Sequence, residues 1–361
     1  MLHDYFWFIY QCILYMKILV TGGAGFIGSH VVVMLIELDY KVIILDNLYN
    51  SNKNVIDNIN KITKKTNMLE FVYGDIRDSQ ILNSIFEKND IKCVLHFAAL
   101  KSVSDSDKNP ELYRDVNVNG TINILSVMEK FNCYNFVYSS SATVYGDSKA
   151  PVNENSVCGN NLACQYAHNK YDMEQILMKD YSKFNIVILR YFNPIGCHKS
   201  GLLIENPSGT PTNIFPYLIR VADAINNPNS KYKTYKTFTI YGNKYNTSDG
   251  TCIRDYVHVE DLSRAHVEVL KLFDEKREQK LFVYNVGTGI GTSVLELLHT
   301  LNKILIKKKY KPIKFGFGDK RNGDLEVSYS DPSLIFKDLH FKTQYNIYDM
   351  CEHGLYAIGL V

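Results

Sequence analysis

Short apolar runs alternate with longer segments of helical periodicity over the first half of the chain. Six such runs occur, at 17–20, 41–45, 71–73, 93–97, 136–138 and 186–189. Strands that are apolar on both faces lie in a parallel sheet that helices cover on both sides. The pattern therefore predicts an α/β fold with a doubly wound parallel sheet. Such sheets bind ligands outside the carboxyl ends of their strands, so the residues that follow each run are candidates for function.

The regular alternation ends at about Tyr191, where the connections become rich in Gly, Pro and Asn. We therefore expect a larger domain over 16–191 and a smaller α/β lobe over 192–361, interleaved with the first. The polar segment 226–236 is interpreted as a surface loop. Residues 1–15 are apolar, but they lack a basic segment and are too short to span a bilayer. We interpret them as an extension ahead of a start at Met16 rather than as a signal anchor.

Charge and cysteine content narrow the possible partners. Lys and Arg number 40 against 38 Asp and Glu, which gives a formal net charge of +2. This balance argues against nucleic acid or an anionic membrane as the main partner. The eight cysteines show neither a C-x-x-C pair nor metal-ligand spacing, so we expect reduced thiols, no bound metal and a cytoplasmic protein.

A glycine-rich turn follows the first predicted strand. Gly22, Gly25 and Gly28 precede a helical pattern over 29–38, and Asp46 ends the second strand about twenty residues beyond the last glycine. Glycines at this spacing let the backbone approach a pyrophosphate, while the helix N-terminus offers N–H groups to it. The context predicts a Rossmann domain rather than an ordinary tight turn. A carboxylate at Asp46 suits the ribose hydroxyls and repels a 2′-phosphate, which favours NAD over NADP.

A tyrosine and a lysine form the candidate reacting pair. Tyr166 and Lys170 are four residues apart in a predicted helix over 166–183, so they share one face. A neighbouring ammonium and a positive nicotinamide ring both favour the phenolate, which could then take a proton from an alcohol. Alone, the pair could equally lie on the surface of an amphipathic helix. The hydroxyls of 139–141, after the fifth apolar run, favour the catalytic interpretation.

Further stretches carry a resemblance to a known family. They are 21–28, 46–48, 97–101, 117–121, 139–147, 190–194, 254–259 and 323–325. Together they resemble the extended short-chain dehydrogenase/reductase family, and within it the enzymes that epimerise UDP-hexoses. The resemblance runs from Met16 to about Asp331. It implies NAD-dependent 4-epimerisation of UDP-galactose and UDP-glucose through a transient 4-keto sugar, and a homodimer.

The resemblance also implies roles for individual residues. The catalytic trio would be Ser141, Tyr166 and Lys170. NAD would be held by Gly22, Gly25, Phe26, Ile27, Gly28, Asp46, Asn47, Asn50, Ser51, Asp75, Ile76, Phe97, Ala98, Lys101, Asn117, Tyr166, Lys170 and Phe192. The UDP-sugar would be held by Ser141, Tyr166, Asn193, Asn213, Tyr241, Arg254, Arg321, Asp324 and Ser328. Taken alone, Asp75 would more often cap a helix, and the two arginines would more often pair on the surface.

Three alternatives remain open at this point. Sugar-nucleotide 4,6-dehydratases of similar architecture place Asp-Glu after the catalytic hydroxyl, where this chain has Ala142 and Thr143. A decarboxylase should offer the substrate carboxylate a dedicated cation, and none is evident. A non-catalytic NAD sensor would have no need to keep the trio together. The family pattern around the reacting pair is altered at Gln165, and the small Ser328 predicts room for N-acetylated UDP-sugars.

Overall fold

The computed structural model describes residues 17–273, 280–321 and 323–361, so the predicted extension over 1–15 lies outside the described residues. The strands, β1 to β13, are Lys17–Thr21, Lys41–Asp46, Leu69–Tyr73, Ile91–His96, Asn135–Ser141, Asn185–Tyr191, Asn193–Ile195, Phe238–Tyr241, Ile253–His258, Leu281–Val286, Gly291–Ser293, Phe315–Gly318 and Val327–Ser328. The α-helices, α1 to α12, are Phe26–Glu37, Asn54–Thr63, Ser79–Lys88, Val103–Ser106, Pro110–Arg114, Gly120–Lys130, Gln165–Asp180, Ile214–Asn226, Val259–Glu268, Val294–Lys307, Ser333–Leu339 and Ile347–Tyr356. A π-helical segment, Asp115–Asn119, leads into α6.

A seven-stranded sheet forms the centre of the first part of the fold, in the order β10-β6-β5-β4-β1-β2-β3. All six predicted strands are present, and β1 pairs in parallel with β2 and β4. Ile18, Leu19 and Val20 have no exposed surface, because helices cover both faces of the sheet. The predicted fold class, a doubly wound α/β sheet with a second lobe, is confirmed.

The parallel register brings several strand ends to one edge of the sheet. Thr21 lies opposite Leu45 on one side and His96 on the other, and His96 lies opposite Tyr138. The glycine turn, Asp46, the loop after β4 and the serines that end β5 therefore share this edge.

The chain divides into two compact units. The first comprises 17–144, 164–189, 263–273 and 280–283, and the second comprises 145–163, 190–262 and 284–361 without residue 322. The predicted boundary at 191/192 lies two residues from one of these divisions. The structure adds two exchanges between the units, because 145–163 belongs to the second unit, whereas 263–273 and 280–283 belong to the first.

The second unit has its own sheets and its own core. A four-stranded sheet joins β7, β9, β11 and β13, while β8 and β12 form a parallel pair. Its buried cluster includes Phe215, Leu218, Leu298 and Leu301. The predicted surface loop at 226–236 follows α8, of which Asn226 is the last residue. Within the described ranges, none of the helices is both long and apolar enough to cross a membrane.

Gly22 offers a test of the fold, because its φ of +70° is left-handed and a Cβ there would lie 2.6 Å from the backbone N of Ala98. We expect Gly22→Ala to be destabilising through both strain and overlap. Gly209 is a matched control, since its φ is +72° but a Cβ there meets nothing within 4 Å. Urea unfolding should show Gly22→Ala to lose about 1–3 kcal/mol more than Gly209→Ala. Equal losses would contradict the close approach.

Candidate active site

The glycine turn is built to bring backbone close to a ligand. Gly22 donates its N–H to the Leu45 carbonyl at 2.8 Å, and Gly25 donates to the Gly22 carbonyl at 3.0 Å. A Cβ on Gly28 would fall on the Gly22 carbonyl. Gly25 caps the 12-residue helix α1, which Phe26 and Ile27 open, without a side-chain hydrogen bond. The first-turn N–H groups are thus left for an anion, so the turn fits the pyrophosphate of a dinucleotide.

Asp46 lies at the end of β2 with 9% of its surface exposed. Its carboxylate accepts hydrogen bonds from the backbone N–H groups of Ala24 at 3.0 Å and Leu48 at 2.8 Å, and from the Ser51 hydroxyl at 3.3 Å. Burial raises the pKa of Asp46, and these hydrogen bonds oppose the rise. Asp46 therefore fixes the glycine turn and the loop after β2, which also carries Asn47 and Asn50.

Asp75 is held by an ion pair rather than by a helix terminus. It accepts from Arg77 at 2.9 Å and from the Asn47 amide at 2.9 Å. The hydrogen bond from Arg77 lowers the pKa of Asp75 to about 2. Asp78 is the residue that caps α3, so the capping role considered for Asp75 is wrong. The structure brings Asn47 and Asp75 together beside the buried Ile76.

The loop after β4 is fixed by a buried amide. Asn117, in the π-helical segment, accepts from the Leu100 N–H at 2.8 Å and donates to the Leu100 carbonyl at 2.9 Å. Phe97 donates its N–H to the Thr21 carbonyl at 2.9 Å. Asn117 therefore sets the path of the loop that contains Ala98 and Lys101, and its amide groups are occupied by protein.

Strand β5 and helix α7 bring the predicted catalytic trio together. Ser141 is the last residue of β5, and its side chain neighbours Tyr166, near the start of α7, and lowers the pKa of its phenol. The Lys170 ammonium donates to the Ser139 carbonyl at 2.6 Å and lies 5.8 Å from the centre of the Tyr166 ring. Thr143 donates to the Ser141 hydroxyl oxygen from both its N–H and its side chain, at 3.2 and 3.0 Å. The trio forms one cluster within the first unit.

Burial shifts the pKa values of both Tyr166 and Lys170 toward their uncharged forms. Burial raises the pKa of Tyr166 to about 12, although the hydrogen bond with Ser141 lowers it. Burial also lowers the pKa of Lys170 to about 7. The protein by itself thus disfavours the phenolate, because removal from water opposes the charged form of both groups. The net rise in the pKa of Tyr166 comes from burial, so the phenol of these residues alone does not reach its charged form at neutral pH.

The second unit carries the residues predicted to hold the nucleotide. Arg254 forms an ion pair with Asp324 at 3.2 Å, and Arg321 lies 4.2 Å from the centre of the Tyr241 ring. Ser328 lies opposite Arg254 in the pairing of β13 with β9. These five residues come from three parts of the chain, at 241, 254 and 321–328.

Three further predicted residues belong to the same unit. Asn213 donates to Glu205 at 2.8 Å, so its amide is engaged by protein. Phe192 and Asn193 come directly after β6. Phe192 is a predicted cofactor residue that belongs to the second unit, whereas the other predicted cofactor residues belong to the first.

Sequence reasoning missed a buried carboxylate in the first unit. Glu174 is fully buried and accepts a hydrogen bond from the Ser140 hydroxyl at 2.5 Å. One signal could have found it, because Glu174 lies one helical turn beyond Lys170 and therefore on the same inward face. Within the described ranges, no group of three or more potential ligands is arranged to hold a metal ion.

The family of the chain follows from comparison with known proteins. The model of the NAD dependent epimerase/dehydratase family matches residues 18–287. The chain belongs to this family. The predicted resemblance is therefore confirmed, and with it the dependence on NAD that defines the family.

Members of this family with known names or structures are similar along nearly the whole chain. UDP-glucose 4-epimerase of Haemophilus influenzae is 41% identical over 93% of this chain and 96% of its own length. A UDP-glucose 4-epimerase of Bifidobacterium longum, solved with NAD+ and UDP, is 38% identical, with a TM-score of 0.85 over 94% of this chain and 97% of that one. The enzyme of Stenotrophomonas maltophila, solved with NAD and formylated UDP-arabinopyranose, is also 38% identical, with a TM-score of 0.87 over 95% and 98%.

Asp46 provides a test of the cofactor loop. Asp46→Asn replaces one acceptor oxygen by a donor, which leaves a backbone N–H without a partner, so we expect a loss of about 1–3 kcal/mol in unfolding free energy. The control is Asp78→Asn, because Asp78 accepts from Gln80 and Ile81 through one oxygen only, and Asn caps helices as well as Asp. Chemical denaturation should separate the two variants. A loss for Asp78→Asn as large as that for Asp46→Asn would refute this account.

Proposed function

We propose that this chain is a UDP-glucose 4-epimerase that interconverts UDP-galactose and UDP-glucose with NAD as a bound cofactor. The observation that carries the proposal is the cluster of Ser141, Tyr166 and Lys170 at the sheet edge that also bears the glycine turn. The named relatives support the choice of reaction, since they match this chain over more than nine-tenths of its length.

Tyr166 is the proposed acid and base. NAD, when bound, would supply the hydride acceptor for C4 of the sugar and the hydride donor for reduction of the 4-keto sugar. Tyr166 accepts the proton of the 4-hydroxyl and gives it back, while Ser141 hydrogen bonds the same oxygen and relays the proton. Because burial raises the pKa of Tyr166 to about 12, the phenol needs nearby positive charge to act as a base at neutral pH. Lys170 supplies part of that charge from within the protein.

The second unit is proposed to hold the UDP part of the substrate. Arg254 and Arg321 suit a diphosphate, because guanidinium groups bind phosphate oxygens in a fixed geometry. Asp324, already paired with Arg254 at 3.2 Å, suits the ribose hydroxyls. Holding the nucleotide while leaving the hexose loosely bound lets the 4-keto sugar turn before it is reduced.

The geometry around Ser141 favours epimerisation over elimination. A dehydratase needs an additional acid to expel water, and the residues that follow Ser141 are Ala142 and Thr143. The Thr143 hydroxyl donates to Ser141 at 3.0 Å. It therefore orients the catalytic hydroxyl and does not serve as an acid.

Compartment and assembly are also part of the proposal. We place the enzyme in the cytoplasm, supported by cysteines that form no disulfide with one another in the described part of the chain, namely Cys93, Cys133, Cys164, Cys197, Cys252 and Cys351. We propose a homodimer on the resemblance to the family alone.

The decisive experiment is to incubate the purified protein with UDP-galactose, without added NAD, and to measure UDP-glucose. We expect turnover, and a loss of about 100-fold to 10,000-fold in kcat for Tyr166→Phe, since the phenol is the proton acceptor. The control is Tyr171→Phe, which removes a phenol from the next turn of α7 and should leave kcat unchanged. Unchanged turnover in Tyr166→Phe would remove the proposed base.

Ser328 is proposed to set the breadth of substrates. A small side chain beside the sugar leaves room for an acetamido group, so we expect activity on UDP-N-acetylglucosamine and UDP-N-acetylgalactosamine. Ser328→Tyr should abolish that activity, while UDP-galactose turnover changes much less. The six rates, those of three UDP-sugars with each of the two proteins, are measured by separation of the UDP-sugars. Undetectable turnover of both N-acetylated sugars by the unmodified enzyme, beside normal turnover of UDP-galactose, would contradict the proposal.

A further inference from the structure

The three serines that end β5 each contact a different residue of helix α7. The Ser141 side chain neighbours Tyr166 and lowers its pKa, and the Ser139 carbonyl accepts from the Lys170 ammonium at 2.6 Å. The Ser140 hydroxyl donates to a carboxylate oxygen of Glu174 at 2.5 Å. Tyr166, Lys170 and Glu174 are spaced four residues apart, so one face of the helix presents all three to the strand. The third contact has no part in the mechanism described above.

Glu174 is a buried carboxylate, and removing a charged group from water has a large free-energy cost. It has no exposed surface, and Lys170, one turn earlier, is 4% exposed. A buried carboxylate is tolerated when it is hydrogen-bonded and lies in the field of an opposite charge. Ser140 supplies the hydrogen bond, and the Lys170 ammonium supplies the charge. An apolar residue at this core position would avoid the free-energy cost of burying a charged group. The presence of a carboxylate therefore indicates a function.

The other titratable groups that face Lys170 do not hold a positive charge in place. His96, on β4, is engaged by Thr21 and Thr121 at 2.7 and 2.9 Å, and burial lowers its pKa to about 3. His96 is therefore neutral near pH 7. Tyr138, on β5, lies with its ring centre 4.8 Å from the ammonium, and Tyr166 lies at 5.8 Å. Glu174 is the described group whose charge favours the ammonium.

We propose that Glu174 is a positioning residue that keeps Lys170 in its charged form beside Tyr166, with Ser140 holding the carboxylate in place. The inference rests on the proposed function, because it assigns Glu174 to the same reaction. Glu174 acts only through Lys170 and touches neither cofactor nor substrate.

The acid-base balance of Lys170 explains why such a residue matters. Burial lowers the pKa of Lys170 to about 7, and the charge of Glu174 raises it. The ammonium is thus close to losing its proton at neutral pH. Without the carboxylate the balance moves toward the neutral amine, which cannot stabilise a phenolate. The protonation state of Lys170 at neutral pH therefore depends on the carboxylate of Glu174.

The test compares Glu174→Gln with the unmodified full chain by two readouts. The first is an NMR titration of lysine labelled with ¹³C at Cε, with the Lys170 signal assigned by its loss in Lys170→Met. We expect the midpoint of Lys170 to fall by about one unit or more, which corresponds to about tenfold in its protonation equilibrium. The second is the dependence of kcat on pH. Its alkaline limb should move to lower pH by the same amount, so that the loss is greatest above pH 7 and shrinks near pH 6.

Two further variants separate charge from structure. Glu174→Asp keeps the carboxylate, so the midpoint of the Lys170 titration should lie near its original value. This variant also tests the proposal if Glu174→Gln does not fold. Glu129→Gln removes a carboxylate that is 48% exposed and paired with Lys183, so it should leave the Lys170 midpoint unchanged. A midpoint in Glu174→Asp as low as the glutamine variant is expected to give, or an equal shift from Glu129→Gln, overturns the proposal.

The outcomes also distinguish this inference from the proposed function. An unchanged Lys170 titration in Glu174→Gln overturns the role of Glu174, even if the enzyme epimerises. A uniform loss of kcat at every pH, with the limb in place, shows a structural role and overturns it as well. Absence of epimerase activity in the unmodified protein refutes the proposed function, whereas the NMR titration still reports whether Glu174 controls Lys170.

Discussion

The site depends on the parallel pairing of β1 with β2 and β4 in one register. Thr21 lies opposite Leu45 and His96, so the turn after β1 begins level with the ends of its neighbours. Successive side chains point to opposite faces, and a slip of one residue would turn every apolar side chain over. The hydrogen bonds between His96 and the hydroxyls of Thr21 and Thr121, at 2.7 and 2.9 Å, fix this register inside the core. Every functional loop of the first unit starts from this edge.

Apolar runs located the central strands but not their full extents. The run 136–138 belongs to a strand that continues to Ser141, because strand pairing can include buried serines that no hydropathy pattern marks. For the same reason the serines form part of β5 rather than the loop after it. Strand β10 adds a seventh member to the sheet. It was not predicted, because β10 comes long after β6 in the sequence. The residues between the two strands include a long stretch of the second unit.

The motifs identified the candidate reacting residues but not their pKa values. Four-residue spacing placed Tyr166 and Lys170 on one face of a helix, as the structure has them. Whether the phenol becomes more or less acidic depends on how much water each group loses, and spacing carries no such information. Burial proved the larger effect for both groups. Glu174 was missed for the same reason, because its proposed role depends on the hydrogen bond with Ser140 on β5 and not on a place in a motif.

A base with a pKa of about 12 would be poorly matched to a reaction that must release its proton to water at neutral pH. An epimerase has no such requirement, because the proton taken from the 4-hydroxyl returns to the same oxygen, and the hydride returns to the same carbon. In the proposed mechanism the proton therefore moves only between the oxygens of Ser141, Tyr166 and the sugar. Burial then helps the reaction, since it slows exchange with solvent while the keto sugar turns. The charged form of Tyr166 exists only while positive charge lies beside it, which links the acidity of the phenol to the state of Lys170.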